Sequence, residues 1–505
     1  MMTEEVCPKR SRPWVLAATI LGSSIAFIDG SVVGVALPAM QRDLAAPVRE
    51  AQWIVNSYML LLGALILIGG ATGDRFGRRR AFLLGLIIFT AASIACGLAP
   101  SSLTLIGARA VQGIGAALLV PSSLAIISAA FPEKERGRAI GTWAGASALT
   151  TALGPVLGGW LTDAWSWRAI FFINVPIAAL AVIIALWHMP ETRNPGAHGV
   201  DLFGGLLAVV GLGSLTYGLT VASEAGWIHT MVIVPLLFGM AVLGAFVWFE
   251  GRARAPMMPL PLFRNADFSG ANAITLFLYF ALSGELFFVP YDLISVQGYS
   301  AMAAGAAFLP FTLVMGLLSR WSGGLIERYG PRRLLIVGPT IVAVGFALLA
   351  VPGIGGSYWT TFFPPMLVLG FGMAVSVAPL TTTVMRGAED RYAGVTSGIN
   401  NATARIAGLL AVALLGSIAV GVFGSALDER LDRLQATAEV RSALQAEVPK
   451  LAEARVPKGI PQGQHDVLER ALQESFVRSF RVVSLVAAAL AALSAVVAWL
   501  TIHRK

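Results

Sequence analysis

Long apolar runs, each broken from the next by a short polar turn, fill the chain almost from end to end. A helix rising about 1.5 Å per residue crosses a hydrocarbon core of roughly 30 Å in about 20 residues, so runs of this length predict membrane-spanning helices. Fourteen are predicted, at 14–36, 53–72, 81–98, 103–128, 139–160, 168–188, 201–222, 229–249, 269–292, 302–325, 334–352, 359–383, 394–423 and 479–501. The first run follows a basic start (Lys9, Arg10, Arg12), as a secretory signal does, but it is longer than such a signal's apolar core and holds Asp29, so it reads as a retained span.

Composition agrees with this pattern: of 505 residues, 56% are hydrophobic and 13% charged, against about 25% charged in an ordinary soluble domain. The fold class is therefore all-α and integral to a membrane. A net charge of +8 does not predict a nucleic-acid partner, because the Lys and Arg are spread over short loops. With the N-terminus inside, the inner segments carry 21 Lys and Arg and the short outer loops three, Arg42, Arg49 and Arg168. The positive-inside rule then places both termini in the cytoplasm of a bacterial cytoplasmic (inner) membrane. Cys7 and Cys96 offer neither a disulfide framework nor metal spacing.

A repeat organises the helices. Gly70, Asp74, Arg75, Phe76, Gly77, Arg78, Arg79 and Arg80 have counterparts 253 residues later in Gly323, Glu327, Arg328, Tyr329, Gly330, Pro331, Arg332 and Arg333, each set ending in a turn after the second helix of a half. Duplicated bundles are the mark of secondary transporters, whose substrate site lies between the halves near the midplane. The expected organisation is a cytoplasmic tail (1–13), a six-helix bundle (14–188), two linker helices with their cytoplasmic loops (189–267), a second six-helix bundle (268–501) containing an extracytoplasmic loop (424–478), and a tail (502–505).

The turn "GDRFGRRR" resembles the loop 2–3 signature of the major facilitator superfamily, and "LIGARAVQGIGAA" (Leu105 to Ala117) resembles its helix-4 motif. Gly154, Pro155, Gly158 and Gly159 stand where the helix-5 antiporter motif has them, while "IDGSVVGVALP" (Ile28 to Pro38) and "WRAIFFINVP" (Trp167 to Pro176) are similar to the fourteen-span drug:proton antiporter branch. Thr150 stands where the antiporter motif usually has glycine, and Ser31 and Gly34 where the helix-1 motif has Thr and Asn. The resemblance implies export by alternating access, with the helix-5 motif forming a kinked contact specific to exporters. It also implies a gate at loop 2–3. On physical grounds the Asp74 carboxylate is expected to seek a helix N-terminus of the other half, an attraction of about 0.3–1 kcal/mol when exposed, and with Arg75 to latch the outward-open state.

Ionisable residues within spans cost about 2.5–3.5 kcal/mol each on insertion scales and are functional candidates by default. They are Asp29, Arg109, Glu285, Asp292, Arg320 and Arg405. At 1.5 Å per residue Asp29 lies about 22 Å from the cytoplasmic start of its helix, Glu285 about 24 Å along its own, and Arg109 is nearly level with both. Proton and drug are expected to compete for Asp29 or Glu285, with Arg109 holding the carboxylate ionised when paired; a permanent Asp29–Arg109 packing pair is the plainer alternative. Arg405, roughly 17 Å into its helix, is a candidate for substrate or coupling. Asp292 and Arg320, near the two surfaces, are expected to snorkel.

Segment 424–478 has apolar residues at helical spacing separated by Pro449, Pro457, Pro461 and Gly463, which predicts two amphipathic helices and a turn capping the outer vestibule. No nucleotide-binding loop and no catalytic cluster are present, so neither a nucleotide-driven pump nor an enzyme is expected. The expected ligands are a small-molecule substrate and membrane lipid, with protons as coupling ions and no cofactor, metal or nucleic acid. A periplasmic adaptor stays open as a partner of an otherwise monomeric chain. Export of a native metabolite, antibiotic or lipid is the alternative to drug efflux; proton-coupled uptake is disfavoured by the helix-5 motif.

Overall fold

A computed structural model describes residues 7–193, 199–253, 256–386, 393–457, 460 and 462–503. Four consecutive helices, α1 (Arg12–Asp43), α2 (Val48–Phe76), α3 (Arg78–Gly97) and α4 (Ser102–Ala130), are followed by α5 (Glu133–Ala164) and a sixth span broken into α6 (Ala169–Phe172) and α7 (Asn174–His188). The linker pair is α8 (Leu202–Ala225) and α9 (Thr230–Glu250). The second half holds α10 (Ala266–Tyr291), α11 (Ala301–Ala306) running into α12 (Leu309–Tyr329), and α13 (Pro331–Leu349). After these come α14 (Tyr358–Thr361) with α15 (Phe363–Arg386), α16 (Ala393–Arg433), α17 (Ala438–Gln445) and α18 (His465–Thr501).

Among the described residues, thirteen helical segments are long and apolar enough to cross a membrane. The remaining long helix is α5, 32 residues diluted by glycine, serine and threonine. Together they match the fourteen predicted spans. The face bearing the arginine-rich turns is called here the basic face, and the other the distal face.

The repeat is built into the backbone. Gly77 (φ +119°) and Gly330 (φ +75°) both end the second helix of a half in a conformation that side chains other than glycine rarely adopt. Immediately after each, an arginine donates to a carbonyl in the last turn of that half's final helix: Arg79 to Leu186, and Arg332 to Trp499. The first interval is 107 residues and the second 167, so the second half carries 60 more residues between these equivalent points.

Those additional residues correct an expectation. Segment 424–478 does not form two separate amphipathic helices: α16 runs on unbroken to Arg433 and α18 already begins at His465, leaving α17 and two 3₁₀ turns (Val448–Glu453 and Gln462–Gln464) between them. The apolar residues Leu427, Leu431, Leu468, Leu472 and Phe476 that suggested independent helices zip the two extensions together in one buried cluster. Extending an existing helix adds one hydrogen bond per residue without a new nucleation cost.

Helices within a half approach through small residues, as bilayer interfaces require when apolar burial gives little drive. A Cβ on Gly69 would sit 1.9 Å from the Ala117 carbonyl oxygen, and one on Gly113 2.6 Å from that of Tyr58, which locks α2 to α4. The halves meet along two seams. In one, α2 lies against α16, with Gly398 facing Leu67 and Gly416 facing Gln52, and α8 packs over the outside of this seam through Leu60, Ala64, Ala208, Leu212 and Leu409. In the other, α5 meets α11 at the distal end, where a Cβ on Gly305 would be 2.1 Å from the Pro155 oxygen. Gly141 and Gly145 share the stripe of α5 that carries Pro155 and Gly159, yet a Cβ there would meet nothing within 4 Å. The second seam therefore parts toward the basic face.

Candidate functional site

Asp29 sits in the middle of α1, fully buried, and Arg109 in α4 is 1% exposed. One guanidinium nitrogen of Arg109 donates both to Asp29 and, at 2.7 Å, to Gln112 Oε1, while its Nε donates to the Ile54 carbonyl at 3.1 Å. Gln112 Nε2 donates to the other Asp29 oxygen at 2.9 Å. Both carboxylate oxygens are thus held. The guanidinium carbon lies 4.3 Å from the Tyr58 ring centroid and 5.9 Å from that of Phe171. Arg109 and Gln112, one helical turn apart, reach the same carboxylate because residues three apart share a helix face. The network continues outward through Ser93, which accepts from Asn174 at 2.9 Å and donates to the Phe171 carbonyl.

Such a cluster resists disruption. A buried ion pair gains little over apolar packing, but removing one partner leaves a naked charge at a cost of about 3–5 kcal/mol. A proton added to Asp29 would weaken the same link without removing an atom.

Glu285 is also fully buried, but it does not join this cluster. It accepts from Ser484 of α18 at 2.7 Å, and its second oxygen has no partner among the described residues. Arg405 lies across the first seam, beside Gly63 of α2, and its Nε has no hydrogen-bond partner among the described residues. The four sequence candidates are therefore divided: Asp29 with Arg109, Glu285 inside the second half, Arg405 at the seam. Asp292 departs from expectation. It does not snorkel: it is 2% exposed, opening a π-helical turn (Asp292–Val296) and accepting from Gln297 at 3.2 Å. The side chain of Arg320 lies outside the described residues.

The basic-face turn binds within its own half in this conformation. Asp74 accepts from Arg78 at 2.8 Å, and Arg78 also reaches the Ala125 carbonyl near the end of α4. The N-terminus of α3 is capped by Glu191, whose oxygens accept from the amides of Arg79 (3.1 Å) and Arg80 (3.2 Å). Arg75 stacks on Phe76, and Arg328 on Tyr329, at matching places in the repeat. The side chain of Glu327 lies outside the described residues. Gly70 faces Pro121 at ordinary contact distance, and Arg333 stands beside Arg332 at the start of α13.

The helix-5 motif has two separate duties. Gly154 and Gly158 face Ser31 and Val32 of α1 within the half, whereas Gly159 faces α11 across the seam, with a Cβ 2.2 Å from the Ala301 carbonyl oxygen. Four positions on, Asp163 accepts from the amides of Ala301 (3.1 Å) and Met302 (2.7 Å), the first residues of α11.

Distal closure has a second component that sequence reasoning missed. Gln41 of α1 accepts from Tyr291 of α10 at 2.8 Å and donates to the Lys450 carbonyl at 2.9 Å. Glu453 in the same 3₁₀ turn pairs with Arg42 at 3.5 Å and accepts from Ser295. Burial pushes the Glu453 carboxyl above its ordinary range, with the Ser295 hydrogen bond and Arg42 opposing it. The turn thus straps both halves together on the distal face. Only Glu453's place among prolines hinted at it.

Comparison with known proteins agrees with this architecture. The model of the Major Facilitator Superfamily matches residues 19–412. The chain is 35% identical over 495 residues to the multidrug resistance protein Stp of Mycobacterium tuberculosis, covering 97% of this chain and 92% of that protein. It is 32% identical over 501 residues to the tetracenomycin C resistance and export protein of Streptomyces glaucescens, with the same coverage. The fold resembles a bacterial homolog of the human lysosomal transporter Spinster, captured inward-facing and unoccupied, with a TM-score of 0.67 at 19% identity over 97% of this chain and 98% of that one. Duplicated turns, a seam closed at one face and similarity along nearly the whole length converge on one conclusion: the chain belongs to the Major Facilitator Superfamily of membrane transporters.

Proposed function

We propose that this chain is a proton-motive-force-driven efflux transporter that exchanges an amphipathic or cationic drug for protons by alternating access in a bacterial cytoplasmic membrane, with both termini and the basic face in the cytoplasm. The observation that carries the reading is the buried Asp29–Arg109–Gln112 cluster. It is a titratable acid held on helices of one half, with a base that must find a new partner once the acid is protonated.

The strapped distal face and the second seam parted toward the basic face support reading this conformation as the one that loads drug from the cytoplasm. Drug binding and protonation then compete at Asp29, and release on the far side accompanies proton uptake there. In the opposite state the basic ends approach, and Asp74 exchanges its Arg78 partner for the other half, latching the turn with Arg75. Glu285, with one oxygen unpaired, is the second proton carrier, and Arg405 at the seam senses the charge of the cargo.

A dedicated exporter of one natural antibiotic is the second reading, favoured by the 32% identity to the tetracenomycin C exporter over 97% of this chain. One experiment separates them. Energised ethidium efflux is followed in drug-sensitive cells for wild type, Asp29→Asn and Glu285→Gln, with and without a protonophore. Protonophore-sensitive efflux abolished by Asp29→Asn is expected; well-expressed wild type that moves no cation would overturn the multidrug reading in favour of the dedicated one.

A further inference from the structure

The extensions of α16 and α18, with the loop carrying Gly353 and Ile354, line an open groove of 540 Å³ on the distal side of the second half. Four guanidiniums line it, Arg430, Arg470, Arg478 and Arg481, against one lining carboxylate, Glu474. That carboxylate is shared by Arg430 and Arg470, each at 3.3 Å. Arg478 shares Glu429 with Arg433, and Arg481 donates to the Ala350 carbonyl at 2.8 Å and has no acidic partner among the described residues. Positive charge is therefore in excess on the face where the insertion bias disfavours it.

The floor of the same groove is apolar. Val482 and Leu485 lie one turn further along α18, and a second cavity of 320 Å³ continues from Arg478 and Val482 past Gly421 and Val422 of α16. A Cβ on Gly421 would meet nothing within 4 Å, so the channel stays open, and Leu485 is 51% exposed. Arg478 and Arg481 stand at the start of the predicted span, with Leu485 about 6 Å deeper at 1.5 Å per residue. The guanidiniums thus lie at headgroup level and the apolar floor at the level of the acyl chains.

We propose that this groove binds an anionic phospholipid of the distal leaflet, its phosphate held by Arg478 and Arg481 and an acyl chain lying along Val482 and Leu485. Guanidinium forks match phosphate oxygens. A soluble anion would satisfy the rim but leave the floor without a partner, which is why the lipid is the occupant.

The test uses the full chain in nanodiscs of phosphatidylcholine doped with phosphatidylglycerol carrying an acyl-chain diazirine, with crosslinked peptides mapped after illumination. Labelling at 477–485 and 421–426 is expected to exceed that by the phosphatidylcholine analogue. It should fall about tenfold or more in Arg478→Gln/Arg481→Gln, as removal of two basic contacts implies. Val482→Trp, which fills the floor and leaves the arginines, should lose the label as well, while labelling around the basic-face arginines reports an intact fold. Equal labelling by the zwitterionic analogue, or labelling unchanged in the arginine variant, overturns the proposal; displacement by inorganic phosphate does so too, by assigning the site to a free anion.

Discussion

The carboxylate of Asp163 rests on the amide of Met302 at 2.7 Å, joining the distal end of α5 to the first turn of α11 in the other half. A carboxylate on free helix amides is worth about 1 kcal/mol. Asp163→Asn keeps one acceptor and loses the charge. The distal-open population should rise about fivefold, the equivalent of that energy. Spin labels at Trp165 and Val351, both exposed, would read it as a longer distance between the halves; an unchanged distribution would remove Asp163 from the gate.

Gly159 makes the same closure sterically demanding. Its Cβ would lie 2.2 Å from a backbone oxygen, Ala301, which no side-chain rotation can relieve. Overpacking of this kind costs about 1–3 kcal/mol. Gly159→Ala should therefore express normally, transport about tenfold more slowly and leak protons in vesicles. Gly141→Ala, on the same stripe but facing open space, should do neither, and equal effects of the two would refute a contact-specific role.

The Asp29–Arg109 pair should show strong coupling. Arg109→Ala and Asp29→Ala each strand a buried charge, about 3–5 kcal/mol, whereas the double variant strands none and should be less destabilised than the sum of the two single effects predicts. Thermal unfolding in detergent provides the cycle. Simple additivity would mean that the two charges are stabilised by other groups.

Glu453 predicts a pH dependence of the distal strap. Its carboxyl is raised above the ordinary value of 4.5 by burial, so the docked strap binds the proton more tightly than the released one. Docking is then favoured at acid pH and weakens as pH rises through the raised value. The charged and titratable neighbours are Arg42, Arg455 and Tyr291, of which the two arginines oppose the shift. Amide exchange over 447–455, corrected for its intrinsic rate, should quicken as pH rises above the ordinary carboxylate range, as expected for a carboxyl whose proton is held by burial. Glu453→Gln, always neutral, should flatten the profile; a steep profile in that variant would contradict the assignment.

Much of this protein was already legible in its sequence. Fourteen spans follow from apolar length, because a lipid solvent forces every backbone group into a local hydrogen bond and leaves helix as the local solution. The duplicated turn is equally local: Gly77 and Gly330 permit the same backbone conformation, and the arginines beside them find the same helix ends. Depth along a helix is also one-dimensional, so the level of Asp29 with Arg109 could be read from residue counting, and the pair is formed.

Only the tertiary structure decided azimuth and state. Glu285 shares the depth of Asp29, yet its helix turns it toward Ser484, and Asp292 is drawn inward by a π-helical turn that no composition signals. Asp163 and Gln41 act across the halves at sequence separations of 138 and 250 residues from Ala301 and Tyr291, and the Lys450 carbonyl of the strap is 409 residues from Gln41. Asp74 remains with Arg78 because the basic ends stand apart here. A sequence specifies which groups must be satisfied; which partner satisfies them depends on how two similar bundles tilt against each other, and that is settled by packing between residues far apart in the chain.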